Sequence, residues 1–197
     1  MKKFGILILL ISSFIACKNN VHELINENGL ITLRITGESG DTSKPWNGFY
    51  EKFDSQGVIY ESAHYKNHQL NGERTIYENG FLYAIETYEN NQFQGPYRLY
   101  FPNGKIKLEA KYENNIMKGE LKSFYEDGSL KEIVQMAENE ENGPFKEFYH
   151  NGLLKAEGSY KNGPNEHGEL KLYDSTGVHI KTMICEDGIC HTQWSKE

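Results

Sequence analysis

The sequence predicts an all-β protein: an elongated array of antiparallel β-hairpin repeats, about six units of ~24 residues, joined in a single-layer twisted sheet. Three observations predict it. Glycines recur at 48, 72, 95, 119, 143 and 168, and again at 57, 80, 104, 128, 152 and 177, in steps of 23 to 25 residues. Aromatics follow in phase: Phe53, Tyr77, Tyr100, Phe124, Phe148 and Tyr173 stand five residues after the first glycines. Eight after the second glycines stand Tyr65, Tyr88, Tyr112, Met136, Tyr160 and Cys185. Third, the segment after each second glycine alternates. Ile106, Leu108, Ala110 and Tyr112 share one face, and Lys105, Lys107, Glu109 and Lys111 the other. A period of two is a strand with one polar face.

The elements follow in order. Residues 1–16 read as a secretory signal: Lys2 and Lys3, an apolar run from Phe4 to Ile11, then small residues, too short a stretch for a stable span. Phe14-Ile15-Ala16-Cys17 resembles a bacterial lipobox, with Phe14 where that pattern usually has Leu. The resemblance implies cleavage before Cys17 and a lipid on its sulfur, which places the chain in the bacterial cell envelope, periplasmic or at the surface. Two acyl chains and an acylated amine anchor firmly, where one chain holds only marginally. Residues 17–28 read as a polar tether, and 29–47 as an N-terminal capping strand and loop. The repeats occupy 48–71, 72–94, 95–118, 119–142, 143–167 and 168–185, and a capping hairpin closes the chain over 186–197.

Turn chemistry supports the hairpins. Asn79-Gly80, Asn103-Gly104, Asp127-Gly128 and Asn151-Gly152 suit tight type I′ turns, which need two residues at positive φ. Between units, "YENNQFQG" (88–95) and "YENNIMKG" (112–119) carry Asn, which also tolerates the left-handed region. The aromatics are expected to form a ladder in which each ring serves two units, since one hairpin does not hold alone. At the end, Asp187-Gly188 is a two-residue turn that sets Cys185 opposite Cys190 at disulfide distance, in a compartment where oxidation is normal.

The chemical candidates read as structural. His179, Cys185, Cys190 and His191 lack the usual zinc-ligand spacing, and the disulfide is the favoured reading, so no metal or cofactor is expected. Ser39-Gly40-Asp41 is read as a polar loop, His64 and His68 as exposed turn residues, and Glu140-Glu141 as solvated loop charge. A net charge of −7, or −9 once Lys2 and Lys3 leave with the signal, disfavours nucleic-acid and anionic-lipid partners. No catalytic residue is assigned; hydrolysis would need two facing carboxylates, which the sequence does not place.

"YKNGPNEHG", Tyr160 to Gly168, resembles the MORN repeat: an aromatic, a turn glycine, then His-Gly opening the next strand. The resemblance covers about residues 45–185. The degenerate units are similar to the bacterial MORN-variant family that includes YwqK-like proteins, which are labelled antitoxins. It implies a non-catalytic scaffold for an unknown protein partner, in its sharper form an antitoxin or immunity-like protein, with a lipid- or glycan-binding module as the alternative. It carries over no site residue.

Overall fold

The computed structural model describes residues 21–25, 28–38 and 47–197. The signal segment 1–16, Cys17 and the polar loop at Ser39-Gly40-Asp41 lie outside the described residues. Among the described residues the structure is all-β. The strands are β1 (Val21–Ile25), β2 (Ile31–Glu38), β3 (Asn47–Phe53), β4 (Ile59–Lys66), β5 (Gln69–Glu78), β6 (Phe81–Glu89), β7 (Gln92–Tyr100) and β8 (Ile106–Glu113). Then come β9 (Ile116–Met117), β10 (Gly119–Phe124), β11 (Leu130–Ala137), β12 (Glu140–Phe148), β13 (Leu154–Tyr160), β14 (Gly168–Tyr173), β15 (His179–Glu186) and β16 (Ile189–Ser195). Each strand pairs antiparallel with its neighbour in sequence, in one open twisted sheet; β9 is a short spur on β8. This is the hairpin array that the glycine phase predicts.

The turns correct one expectation. Phe101 N–H donates to the Lys105 carbonyl (2.8 Å) and Gly104 N–H to the Phe101 carbonyl (2.9 Å), enclosing three residues rather than two. Gly104 has φ of 81° but Asn103 is not left-handed, so this is a type I turn completed by a bulge glycine. The turns closed by Gly57, Gly128, Gly152 and Gly177 repeat the pattern. Only Asn79-Gly80, with φ of 50° and 80°, makes the type I′ turn in this series. At the Gly104 turn Pro102 favours this form, since it fixes φ for the second position of a type I turn; the other four turns take it without a proline.

Type I′ geometry belongs instead to the turns between units. Asn90 and Asn91 have φ of 51° and 66°, Asn114 and Asn115 of 52° and 66°. Asn recurs there for a second reason. Asn115 accepts the Phe93 N–H on its side-chain oxygen (2.7 Å) and donates its own N–H to the Phe93 carbonyl (3.0 Å). Asn91 does the same to Leu70, and Asn139 to Met117. Each such Asn clasps its unit to the one before.

Two further readings change. Val21–Ile25, read as part of a tether, pairs with β2 as an exposed edge strand. Glu140 and Glu141, read as loop charge, open β12, because the turn there is only Glu138-Asn139.

Candidate functional site

The sheet has two faces, and strand alternation sorts every side chain between them. The packed face holds the buried apolar residues in two clusters. Leu33, Ile35, Tyr50 and Ala63 gather beneath Tyr65 and Leu70. Val134, Met136, Phe145 and Ala156 gather beneath Tyr160 and its neighbours. Between them, Phe93 lies 4.5 Å from Tyr88 and 5.0 Å from Tyr112, with Tyr97 edge-on to Tyr112 at 5.6 Å.

The glycine and aromatic series interlock here. Gly48, Gly72, Gly95 and Gly143 stand directly across the strands from Tyr65, Tyr88, Tyr112 and Tyr160; Gly119 and Gly168 face Met136 and Cys185 in the same way. A glycine opposite a ring leaves room for it. At Gly143, with φ of 123°, an added Cβ would also come within 3.0 Å of the Gln135 side chain.

The six other aromatics do not join this ladder. Phe53 lies three residues beyond Tyr50 on the same strand, so it points to the opposite, outer face. Tyr77, Tyr100, Phe124, Phe148 and Tyr173 hold the equivalent position. Their contacts are polar as well as apolar: Arg34 lies 5.4 Å over the Phe53 ring, and Tyr173 donates its hydroxyl to Glu157 (2.8 Å). One expected ladder is two half-buried rows on opposite faces, because Phe53 stands an odd number of residues after Gly48 on one strand, whereas Tyr65 stands directly across from Gly48.

A polar network crosses the N-terminal half of the packed face. Glu61, 7% exposed, accepts hydrogen bonds from Tyr50 (2.5 Å), Lys52 (2.7 Å) and Arg74 (2.7 Å). Arg74 also reaches Glu86 (2.9 Å), which accepts from Tyr88 (3.0 Å). Burial alone would raise the Glu61 carboxyl; the bonds from Lys52, Tyr50 and Arg74 outweigh it and hold it below the usual carboxylate range. Burial and the Glu86 charge push the Tyr88 hydroxyl up to about 12. Sequence reading missed this network. The signal was present: Glu61 and Glu86 lie two residues before Ala63 and Tyr88, and Arg74 two after Gly72, all at packed-face positions.

The C-terminal half carries the opposite electrostatics. Glu132 stands directly across from Glu147, the facing carboxylates that the sequence did not place. Burial, then the charges of Glu147 and Glu141, raise the Glu132 carboxyl, and burial raises Glu141. Glu147 is already bound by Lys155 at 2.7 Å.

At the end of the sheet Cys185 and Cys190 form a disulfide, with Cα atoms 4.0 Å apart, and Cys185 is buried. His191 pairs with Ile184 on the outer face, and His179 bonds Thr182 (2.9 Å), so neither ring joins the sulfurs. Among the described residues no group of three or more His, Cys, Asp or Glu is placed to hold a metal. His68 occupies a left-handed turn position (φ 61°), whereas His64 lies in β4 against Phe49, at 4.8 Å.

Three segments, 93–114, 117–137 and 141–162, match the MORN repeat variant. Each match falls on one hairpin: β7–β8, β10–β11 and β12–β13. No curated protein matches the chain. Repeats of this kind are generally non-catalytic modules that often mediate protein or membrane contacts. Residues 93–162 therefore carry MORN repeat variants, set within a longer array of hairpins of the same design.

Proposed function

We propose that this chain is a lipid-anchored lipoprotein of the bacterial cell envelope that works as a non-catalytic scaffold for a protein partner, in the manner of an antitoxin or immunity protein that masks its target. One observation carries the reading. The matched repeats belong to a single-layer sheet in which strands contact mainly their neighbours, so both faces present wide, fixed, half-buried aromatic surface. Such a surface suits a partner that needs area and rigidity more than a reactive group. Cys17 supplies the anchor in this reading.

The test has two arms. Full-length protein and its Cys17→Ser variant are labelled with a radioactive fatty acid and fractionated. The reading expects label and membrane partition in the first and neither in the second; unchanged partition of the variant would refute the anchor. Photo-crosslinkers placed on the packed face should then capture one specific envelope protein in stoichiometric yield. Capture of no protein from intact cells would refute the scaffold.

A further inference from the structure

Among the described residues the sheet has two open edges, β1 and β16, and each carries apolar side chains turned to solvent. At β1, Val21, Leu24 and Ile25 are 54%, 45% and 60% exposed, three of the strand's five residues. At β16, Ile189 and Trp194 are exposed as well. Their settings differ. Trp194 stacks on His179, and β16 is tied to β15 by the disulfide. β1 lies outside the matched repeats and pairs only with β2 among the described residues.

Register shows what kind of cover β1 lacks. Leu24 pairs with the buried Leu33, on the packed face. Val21 stands on the outer face with Glu23, whose carboxylate is held by Arg34 at 2.8 Å. Ile25 follows a register shift at the turn end of the strand. Apolar side chains therefore stand on both faces of one edge strand. A second strand added alongside would satisfy the backbone of β1 but leave both of its faces uncovered. A bilayer interface covers the two faces and the edge together. It also leaves the unpaired N–H and C=O groups among headgroups and water, where they are not stranded in hydrocarbon.

The anchor decides between the two edges. In the lipoprotein reading the acyl chains sit on Cys17, four residue steps before Val21, a reach of at most about 14 Å. Fifteen strands in hydrogen-bonded order put β16 fourteen steps from β1, roughly 65 Å along the sheet. Charge opposes the other pose, with the sheet laid flat. A chain of net charge −7, or −9 without Lys2 and Lys3, is repelled where a broad face meets anionic headgroups. Standing on β1 limits that contact to a strand whose single acid, Glu23, is already paired with Arg34.

Resting on the lipid-anchor reading, we propose that β1 is a membrane-contact edge, seated about 5–10 Å into the headgroup layer of the bilayer that holds Cys17. The sheet then stands on its N-terminal edge, with both faces clear of lipid and the C-terminal hairpin farthest out. The test uses the processed, lipidated protein in vesicles of phosphatidylethanolamine and phosphatidylglycerol, brominated near the head of the acyl chains. Tryptophan is placed at the edge by Ile25→Trp or at the far end by Ile189→Trp, and the signal of the parent protein is subtracted. The edge reporter should shift to the blue and be quenched about twofold, with little change on adding salt, while the far reporter is not quenched. Val21→Thr with Leu24→Thr removes apolar surface, adds no charge and keeps strand-forming side chains. It should abolish most of the edge quenching while the protein stays on the vesicles, and amide exchange of β2 in detergent checks that the fold is kept. An edge reporter without quenching, equal quenching at both positions, or full quenching in the folded Thr-substituted protein overturns the proposal. Crosslinking of two copies through β1, without quenching, reassigns the edge to a second copy of this chain. Any of these results with acyl label on Cys17 leaves the anchor standing; absence of the label refutes the anchor, and this proposal with it.

Discussion

Asn115 and Glu138 occupy the same kind of turn and test what that turn requires. The first position of the type I′ pair is left-handed in both units, φ 52° at Asn114 and 52° at Glu138. A side chain such as Glu has no short local hydrogen bond to offset the left-handed cost, whereas Asn does. Glu138→Asn should therefore raise stability by about 0.5–1 kcal/mol, read as a higher denaturant midpoint with an unchanged slope. The second position adds the clasp. Asn115→Gly keeps the backbone free to turn but removes the acceptor of the Phe93 N–H, and should cost about 1 kcal/mol. A higher midpoint for Asn115→Gly would show that backbone freedom, and not the clasp, selects Asn. The outer lysine row obeys a different rule, since Lys111 bonds only the exposed Glu113 and contributes little.

Between the strands, the packed face divides into two halves whose pH responses have opposite sign. Glu61 has a lowered folded pKa, so its stabilisation is present above the ordinary carboxylate range and is lost as pH falls through the folded value. Glu132 has a raised folded pKa, so its contribution is full below the ordinary range and is lost as pH rises through the folded value. Glu61→Gln should cost about 3 kcal/mol at pH 7, by leaving Lys52 and half of Arg74 unpaired. Glu132→Gln should stabilise by about 0.2–1 kcal/mol, by relieving the carboxylate opposite. Urea melts from pH 4 to 7 check both, and a Glu132→Gln effect that does not shrink toward pH 4 contradicts the charge argument. How far such elements are legible in sequence depends on which force places them. The hairpins are legible because Gly104 and its counterparts have few substitutes at a left-handed corner. The turn type is not, because Asn-Gly and Asp-Gly fit either a two-residue turn or the end of a three-residue one: Asn79-Gly80 takes the first form, and Asn103-Gly104, Asp127-Gly128 and Asn151-Gly152 the second. Glu61, Arg74 and Glu86 break the repeat pattern, so a search for periodicity passes over the residues that polarise one half of the face. Edge strand β1 lacks turn glycine or aromatic phase altogether, and its pairing is set by β2.

At the scale of the molecule, the sheet has ends but no second layer among the described residues, and strand contacts run mainly between adjacent strands. Stability is then a sum of neighbour terms, and the ends, with one neighbour each, are its weakest points. The two ends are treated differently. At the N-terminal edge β1 is exposed along its whole length. At the C-terminal edge β16 is tied to β15 by Cys185–Cys190, while its Trp194 stacks on His179 at 4.9 Å. A bridge that closes so short a loop removes about 2 kcal/mol of chain entropy from the open state. Because β16 has a partner on one side only, that amount acts almost entirely on local opening. Cys185→Ser with Cys190→Ser should therefore speed amide exchange across β15 and β16 and leave the central strands β7 to β12 at wild-type protection. The substituted serines would also place a hydroxyl at the buried Cys185 position, so reduction of the native disulfide, which adds no polar oxygen, is the matched control. If both treatments lower protection equally from β3 to β16, the array unfolds as one cooperative body, and the neighbour-sum account of this sheet is wrong.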